Sequence, residues 1–154
     1  MSQTRLAALR LLGRRDYTVA EVRDRLKKTE HPPDAIDEVI TRLVEERLLD
    51  DRRVAAAHVR TSSALKGRGR LRIARELDAR GIERSLAQEA LAALPPDDEA
   101  ASVRRFLDRK RLPSRLNAAE HRRLFGQLLR RGFSPDVIAR QLRARQVEPP
   151  DSDD

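Results

Sequence analysis

The chain of 154 residues has no cysteine, no tryptophan, one tyrosine and three phenylalanines. Without cysteine there can be no disulfide, no thiolate nucleophile and no cysteine-ligated zinc, and nothing asks for an oxidising compartment. No apolar run is long enough for a signal peptide or a membrane span, so a soluble cytoplasmic protein without membrane attachment is expected. Glycine is scarce, at six, and β-branched runs with period-two alternation are missing, which removes the support for strands.

Leucine, alanine, arginine and glutamate fill the space left by these absences, and all four favour helix. Leu, Ile, Val and Phe together make up about a quarter of the chain, above the roughly one-fifth below which charged sequences stay disordered. An all-α fold is the expectation. Net charge is +8, but unevenly spread: residues 1–50 sum to 0, 51–95 to +5, 96–147 to +7 and 148–154 to −4. A basic middle and back favour a polyanionic partner, whereas the simpler account of any one arginine is a solvated helix face.

The chain also repeats itself. Windows starting at Val19, Arg70 and His121 lie 51 residues apart and align without gaps. Val22, Ile73 and Leu124 coincide, as do Leu26, Leu77 and Leu128, then Glu30, Gly81 and Gly132. Further on, His31 meets Ile82 and Phe133, Ile36 meets Ala87 and Ile138, and Ile40 meets Leu91 and Leu142. Such a period indicates stacked helical units, each leaning on its neighbours to bury an apolar face.

Local signals divide each window into two helices. Thr18 and Glu21 form a capping box, with Tyr17 and Val22 in the staple positions. Asn117 and Glu120 repeat the device, and Gly81 and Gly132 read as left-handed terminators. The next helix restarts at Pro32-Pro33-Asp34 and at Ser134-Pro135-Asp136. A further helix precedes each window, over Leu6 to Leu12, Val54 to Leu65 and Ala100 to Lys110. The reading is therefore three tandem three-helix repeats forming an elongated, curved array, at residues 1–49, 50–96 and 97–147, followed by a disordered acidic tail at 148–154.

Little in this pattern supports catalysis. Gly67-Arg68-Gly69 supplies G-x-G without a third glycine or a preceding strand, so a dinucleotide loop is rejected. His31, His58 and His121 sit in three different units without metal-ligand spacing, His31 at a packing position, and neither a metal nor a cofactor is implied. Asp50 and Asp51 fit helix starts better than an acid/base pair. Sequence-specific DNA reading by the last helix of each unit is improbable, because "PPDAIDEVITRLVEE" is acidic and phosphate would repel it.

Basic residues gather instead on the middle helices and the loops entering them: Lys66, Arg68, Arg70, Arg72 and Arg75 in the second unit, and Arg122, Arg123, Arg130 and Arg131 in the third. With Ile73 and Leu77 turned inward, Arg68, Arg72 and Arg75 fall near one another as an exposed stripe at spacings of four and three. These nine are the candidate partner or DNA-binding residues. No aromatic platform accompanies them for base stacking.

The order of motifs, "TVAEVRDRL", "VITRLVEERLLDDRRVAAAHVR", "KGRGRLRIARELDARGI" and "LLRRGFSPDVIARQL", resembles the RecX family of recombination regulators over about residues 4 to 143. The resemblance implies tandem three-helix repeats and a non-enzymatic role. It implies binding of the RecA recombinase filament on single-stranded DNA, as a monomer, and inhibition of its ATPase, strand-exchange and coprotease activities in recombination, DNA repair and the SOS response. The alternative is a non-specific DNA-binding helical protein that acts by occupying DNA. Departures from the family pattern are Val54 for phenylalanine, His58 for an aromatic, and Glu30 and His31 for a glycine and a hydrophobe.

Overall fold

A computed structural model describes residues 1–146, without the side chain of Gln146; the acidic tail lies outside the described residues. All regular structure among them is helical: α1 Gln3–Leu12, α2 Val19–Lys28, α3 Pro33–Glu45, α4 Asp51–Arg60, α5 Arg70–Ala79, α6 Arg84–Ala92, α7 Asp98–Asp108, α8 Ala118–Arg130 and α9 Pro135–Gln146. The expected helix from Val54 to Leu65 differs from this arrangement. Helix α4 starts earlier, at Asp51, and gives way after Arg60 to a single π-helical turn over Thr61–Leu65.

Helix starts are set by side chains that accept the otherwise unpaired first amides. Thr18 Oγ1 accepts the Glu21 N–H at 3.1 Å and Glu21 accepts the Thr18 N–H in return, completing the capping box. Asn117 accepts the Glu120 N–H at 2.8 Å. Asp50 accepts the Arg53 N–H at the start of α4, and Asp51 accepts the Val19 N–H of α2 at 2.9 Å, so each of these carboxylates serves a helix start.

The ends of α2, α3, α5 and α8 share one device. Glu30, Arg47, Gly81 and Gly132 all have positive φ, at 62°, 59°, 77° and 96°. In each case the next amide reaches back to the carbonyl of the last helical turn, as in His31 to Leu26, Leu48 to Leu43, Ile82 to Leu77 and Phe133 to Leu128. This is the Schellman closure. Val22, Ile73 and Leu124 are buried, as are Leu26, Leu77 and Leu128, so positions 51 residues apart share burial as well as backbone state. His31 is half-buried where Ile82 and Phe133 are buried, and its Nδ1 pairs with the buried Thr4 hydroxyl at 3.0 Å.

The chain forms two compact units. The first comprises Met1–Arg60 with Ala74–Ala92; the second comprises Thr61–Ile73 with the chain from Ala93 onward. In the first, Ala8, Tyr17, Leu26, Ile36, Leu43 and Leu49 centre the core of α1 to α3, and α4 packs on α6. In the second, Val103, Leu107, Leu124, Leu128, Phe133 and Leu142 join α7, α8 and α9.

A joint spaced like the sequence repeat occurs once in each unit. In the first, Thr18 Oγ1 donates to the Arg80 carbonyl at 2.7 Å, and a Cβ on Gly81 would overlap that of Ala20. In the second, the Gly69 N–H donates to the Arg131 carbonyl at 2.8 Å, the Leu71 N–H donates to that of Gly132 at 3.1 Å, and a Cβ on Gly132 would overlap Arg72. Thr18 and Gly69 are 51 residues apart, and so are Arg80 and Arg131. A Cβ on Gly69 would strike the backbone of Gly132 and Phe133. The two glycines face each other because no side chain fits between the segments.

A cationic surface in the second unit

This joint decides where the arginines of the "KGRGRLR" segment go. Helix α5 starts only at Arg70, so Arg68 lies in the turn before the helix that carries Arg72 and Arg75, donating its backbone N–H to the Ser62 carbonyl. Arg70 holds structure together. Its N–H donates to Glu99 Oε1 at 2.7 Å, and its guanidinium donates to the carbonyls of Leu94 and Pro95. The other carboxylate oxygen of the buried Glu99 accepts the Ser134 N–H, so one side chain serves the starts of α5 and α9. Arg75 is exposed and lies in the first unit; Arg122 and Arg123 are exposed on the first half of α8.

Lys66, Arg72, Arg130 and Arg131 come together. They line two adjoining cavities of the second unit, each of about 310 Å³. The first is walled by the π-helical turn, by Lys66 and Gly67 after it, and by Arg105, Arg109 and Lys110 of α7 and its end. The second is walled by Arg72, Gln127 and Arg130. Phe106, Lys110 and Arg131 belong to both. The Arg131 guanidinium lies 4.6 Å, and the Lys110 ammonium 5.0 Å, from the centre of the Phe106 ring. Cation–π attraction offsets part of the repulsion of gathering like charges there.

Arg105, Phe106, Arg109 and Lys110 are contributions the sequence reading missed, since it placed the basic face on the middle helices. Their signal was the i, i+4 pairing of Arg105 with Arg109 and of Phe106 with Lys110 in "VRRFLDRK". No acid lines either cavity among the described residues. The first unit is different: Arg5 pairs with Glu46 at 2.7 Å, Arg80 with Glu21 at 2.6 Å, Arg52 with Glu89 at 3.4 Å and Arg53 with Asp16 at 3.7 Å. In the second unit Arg145 pairs with Asp108 at 3.0 Å, but the cations lining the two cavities gather without an acid among the lining residues.

Hydrolytic or metal chemistry finds no matching constellation among the described residues. His31 is bonded to Thr4, His121 stacks on Phe125, and no three His, Asp or Glu side chains gather as metal ligands. Nor is any helix among them long and apolar enough to cross a membrane.

Fold and surface together define an all-helical protein with recurring helix–turn joints and a cationic face. Residues 5–43 match the first three-helix domain of RecX, and residues 50–91 match its second three-helix domain. The regulatory protein RecX of Thermobifida fusca (strain YX) is 34% identical over 144 residues, covering 92% of this chain and 78% of that protein. RecX of Bacillus subtilis (strain 168) is 37% identical over 136 residues, and this chain spans about half of its length, 51%. The crystal structure of RecX from Lactobacillus salivarius superposes with a TM-score of 0.78 at 24% identity, covering 93% of this chain and 94% of that one. The chain belongs to the RecX family of regulatory proteins.

Proposed function

We propose that the protein binds the RecA recombinase filament and modulates its ATPase, strand-exchange and coprotease activities, as a cytoplasmic monomer without catalysis of its own. Family membership across most of the chain carries this reading. Three repeats at 1–49, 50–96 and 97–147 belong to the same proposal, since a helical filament presents equivalent surfaces at intervals and a repeated protein gains by touching more than one. The decisive measurement is RecA ATPase on single-stranded DNA at constant ionic strength, with and without the protein. Inhibition at stoichiometric levels is expected, and no effect at those levels would overturn the reading.

The cationic cavities favour a second reading, in which the protein acts by occupying DNA. Titrating DNA separates the two. A blocker of DNA loses its effect when bare single strands are added in excess to preformed filaments, whereas a filament ligand keeps it.

A further inference from the structure

We infer that the adjoining cavities around Phe106 are a binding site for consecutive phosphate groups. This goes beyond the recombinase reading, because phosphate would be held there whether or not a recombinase is present. Cations reach the site from the segment after the π-helical turn, from α5, from α7 and from the end of α8, and among the described residues no carboxylate accompanies them. An external anion supplies the missing countercharge. The neighbouring cavities share Phe106, Lys110 and Arg131 as a common wall, which suits two linked anionic groups better than one.

Phosphate fits the donors better than carboxylate or a nucleobase does. Five arginines contribute planar guanidinium forks able to grip two oxygens of one tetrahedral group. The Phe106 ring is already engaged by cations from Lys110 and Arg131. Recognition is then of the phosphates and indifferent to the base. Two of the cations are also pre-positioned: the Arg131 carbonyl is fixed by the Gly69 N–H, and the backbone of Arg72 is packed on Gly132.

Such phosphates could come from a nucleic-acid backbone or from a compact polyphosphate such as a nucleoside triphosphate. The test measures binding of a labelled oligothymidylate by anisotropy and of tripolyphosphate by calorimetry. It compares the wild type, the double variant R105Q/R109Q, the variant R131Q, and R140Q/R143Q as a charge-matched change at exposed α9 residues outside the cavities. The cavity double variant is expected to weaken oligothymidylate binding by at least about tenfold and to lower the log–log salt slope by about 0.7 for each phosphate it no longer neutralises. R140Q/R143Q should stay within about threefold, and circular dichroism should show all variants helical.

Tight binding of tripolyphosphate that displaces the oligonucleotide identifies a compact ligand; binding of the oligonucleotide alone identifies a strand. Equal losses in the cavity and control variants, or failure of both ligands to bind, would overturn the site. So would displacement of the oligonucleotide by poly-glutamate at equal charge, which would point to an acidic protein segment. RecA ATPase inhibition retained by R105Q/R109Q would leave the recombinase reading standing apart from this site.

Discussion

Glu30 and Arg47 occupy a backbone region that costs a side-chain-bearing residue roughly 1–2 kcal/mol. Their equivalents at other helix ends, Gly81 and Gly132, avoid that cost. Glu30→Gly should therefore stabilise the protein by about 0.5–1 kcal/mol after the extra chain entropy of glycine is deducted. A rise in Tm of about 1–4 °C in thermal denaturation is the expected result. Glu30 is tolerated because it is exposed, whereas a Cβ on Gly81 would overlap that of Ala20. Family resemblance showed that glycine was missing there, but only the φ value shows that the same turn is made without it.

Asp51 gives a residue-scale prediction with the opposite sign to most carboxylates. Burial lifts its pKa above the ordinary 3.8, while the Val19 N–H, the largest opposing influence, pulls it down, and the charges of Glu21 and Asp50 add to the rise. Between 3.8 and the raised folded value, the folded protein binds more protons than the unfolded chain. Asp51's contribution is thus fully present below the unfolded value and is lost as pH rises through the folded one. Asp51→Asn keeps an oxygen for the Val19 N–H and removes that loss. Urea midpoints measured across the acid range should fall less with rising pH in the variant than in the wild type, and parallel curves would refute the assignment.

At the scale of elements, the close approach of Gly69 and Gly132 makes a strong prediction. Gly132→Ala adds a Cβ that overlaps Arg72 and places alanine at φ 96°; Gly69→Ala drives a Cβ into the backbone opposite. Each should cost about 2–4 kcal/mol, in the range reserved for overpacking and backbone strain. Gly126, in the interior of α8, is the internal control. A Cβ there meets only the far end of the Arg130 side chain, so Gly126→Ala should stabilise by about 0.5–1 kcal/mol. Chemical denaturation of the three variants would order them unambiguously.

Much of this scale was legible in the sequence, because a 51-residue offset in apolar positions and in caps survives translation into helices with little ambiguity. Thr18 and Glu21, read as a capping box, fill that role, and Tyr17 and Val22, read as its staple, are buried in the same core. The π-helical turn was not legible, since Thr61 to Leu65 continue α4 by propensity and the deviation depends on tertiary bonds such as Ser63 to Asp98 at 2.8 Å. That Arg68 precedes the helix carrying Arg72 and Arg75 was not legible for a related reason. The approach of Gly69 to Gly132, sixty-three residues away, delays the helix past Arg68, and no local pattern encodes it.

At the scale of the molecule, charge is managed in two ways, and this predicts different responses to salt. In the first unit Arg5, Arg15, Arg23, Arg52, Arg53 and Arg80 are paired with carboxylates of the same unit. Screening removes a little of that attraction, within the small worth of partly exposed pairs. The second unit instead gathers cations around Phe106 without described acids, and there screening relieves repulsion. Raising sodium chloride from about 50 to 500 mM shortens the Debye length from roughly 14 to 4 Å. Amide protection in α7 and α8 should therefore rise across that range while α2 and α3 stay level or fall slightly. Hydrogen exchange read by mass spectrometry resolves these helices separately. Because inorganic phosphate supplies the countercharge directly, it should raise protection in α7 and α8 further than chloride does at equal ionic strength; equal protection in the two salts would mean that the cations merely tolerate one another and do not wait for an anion.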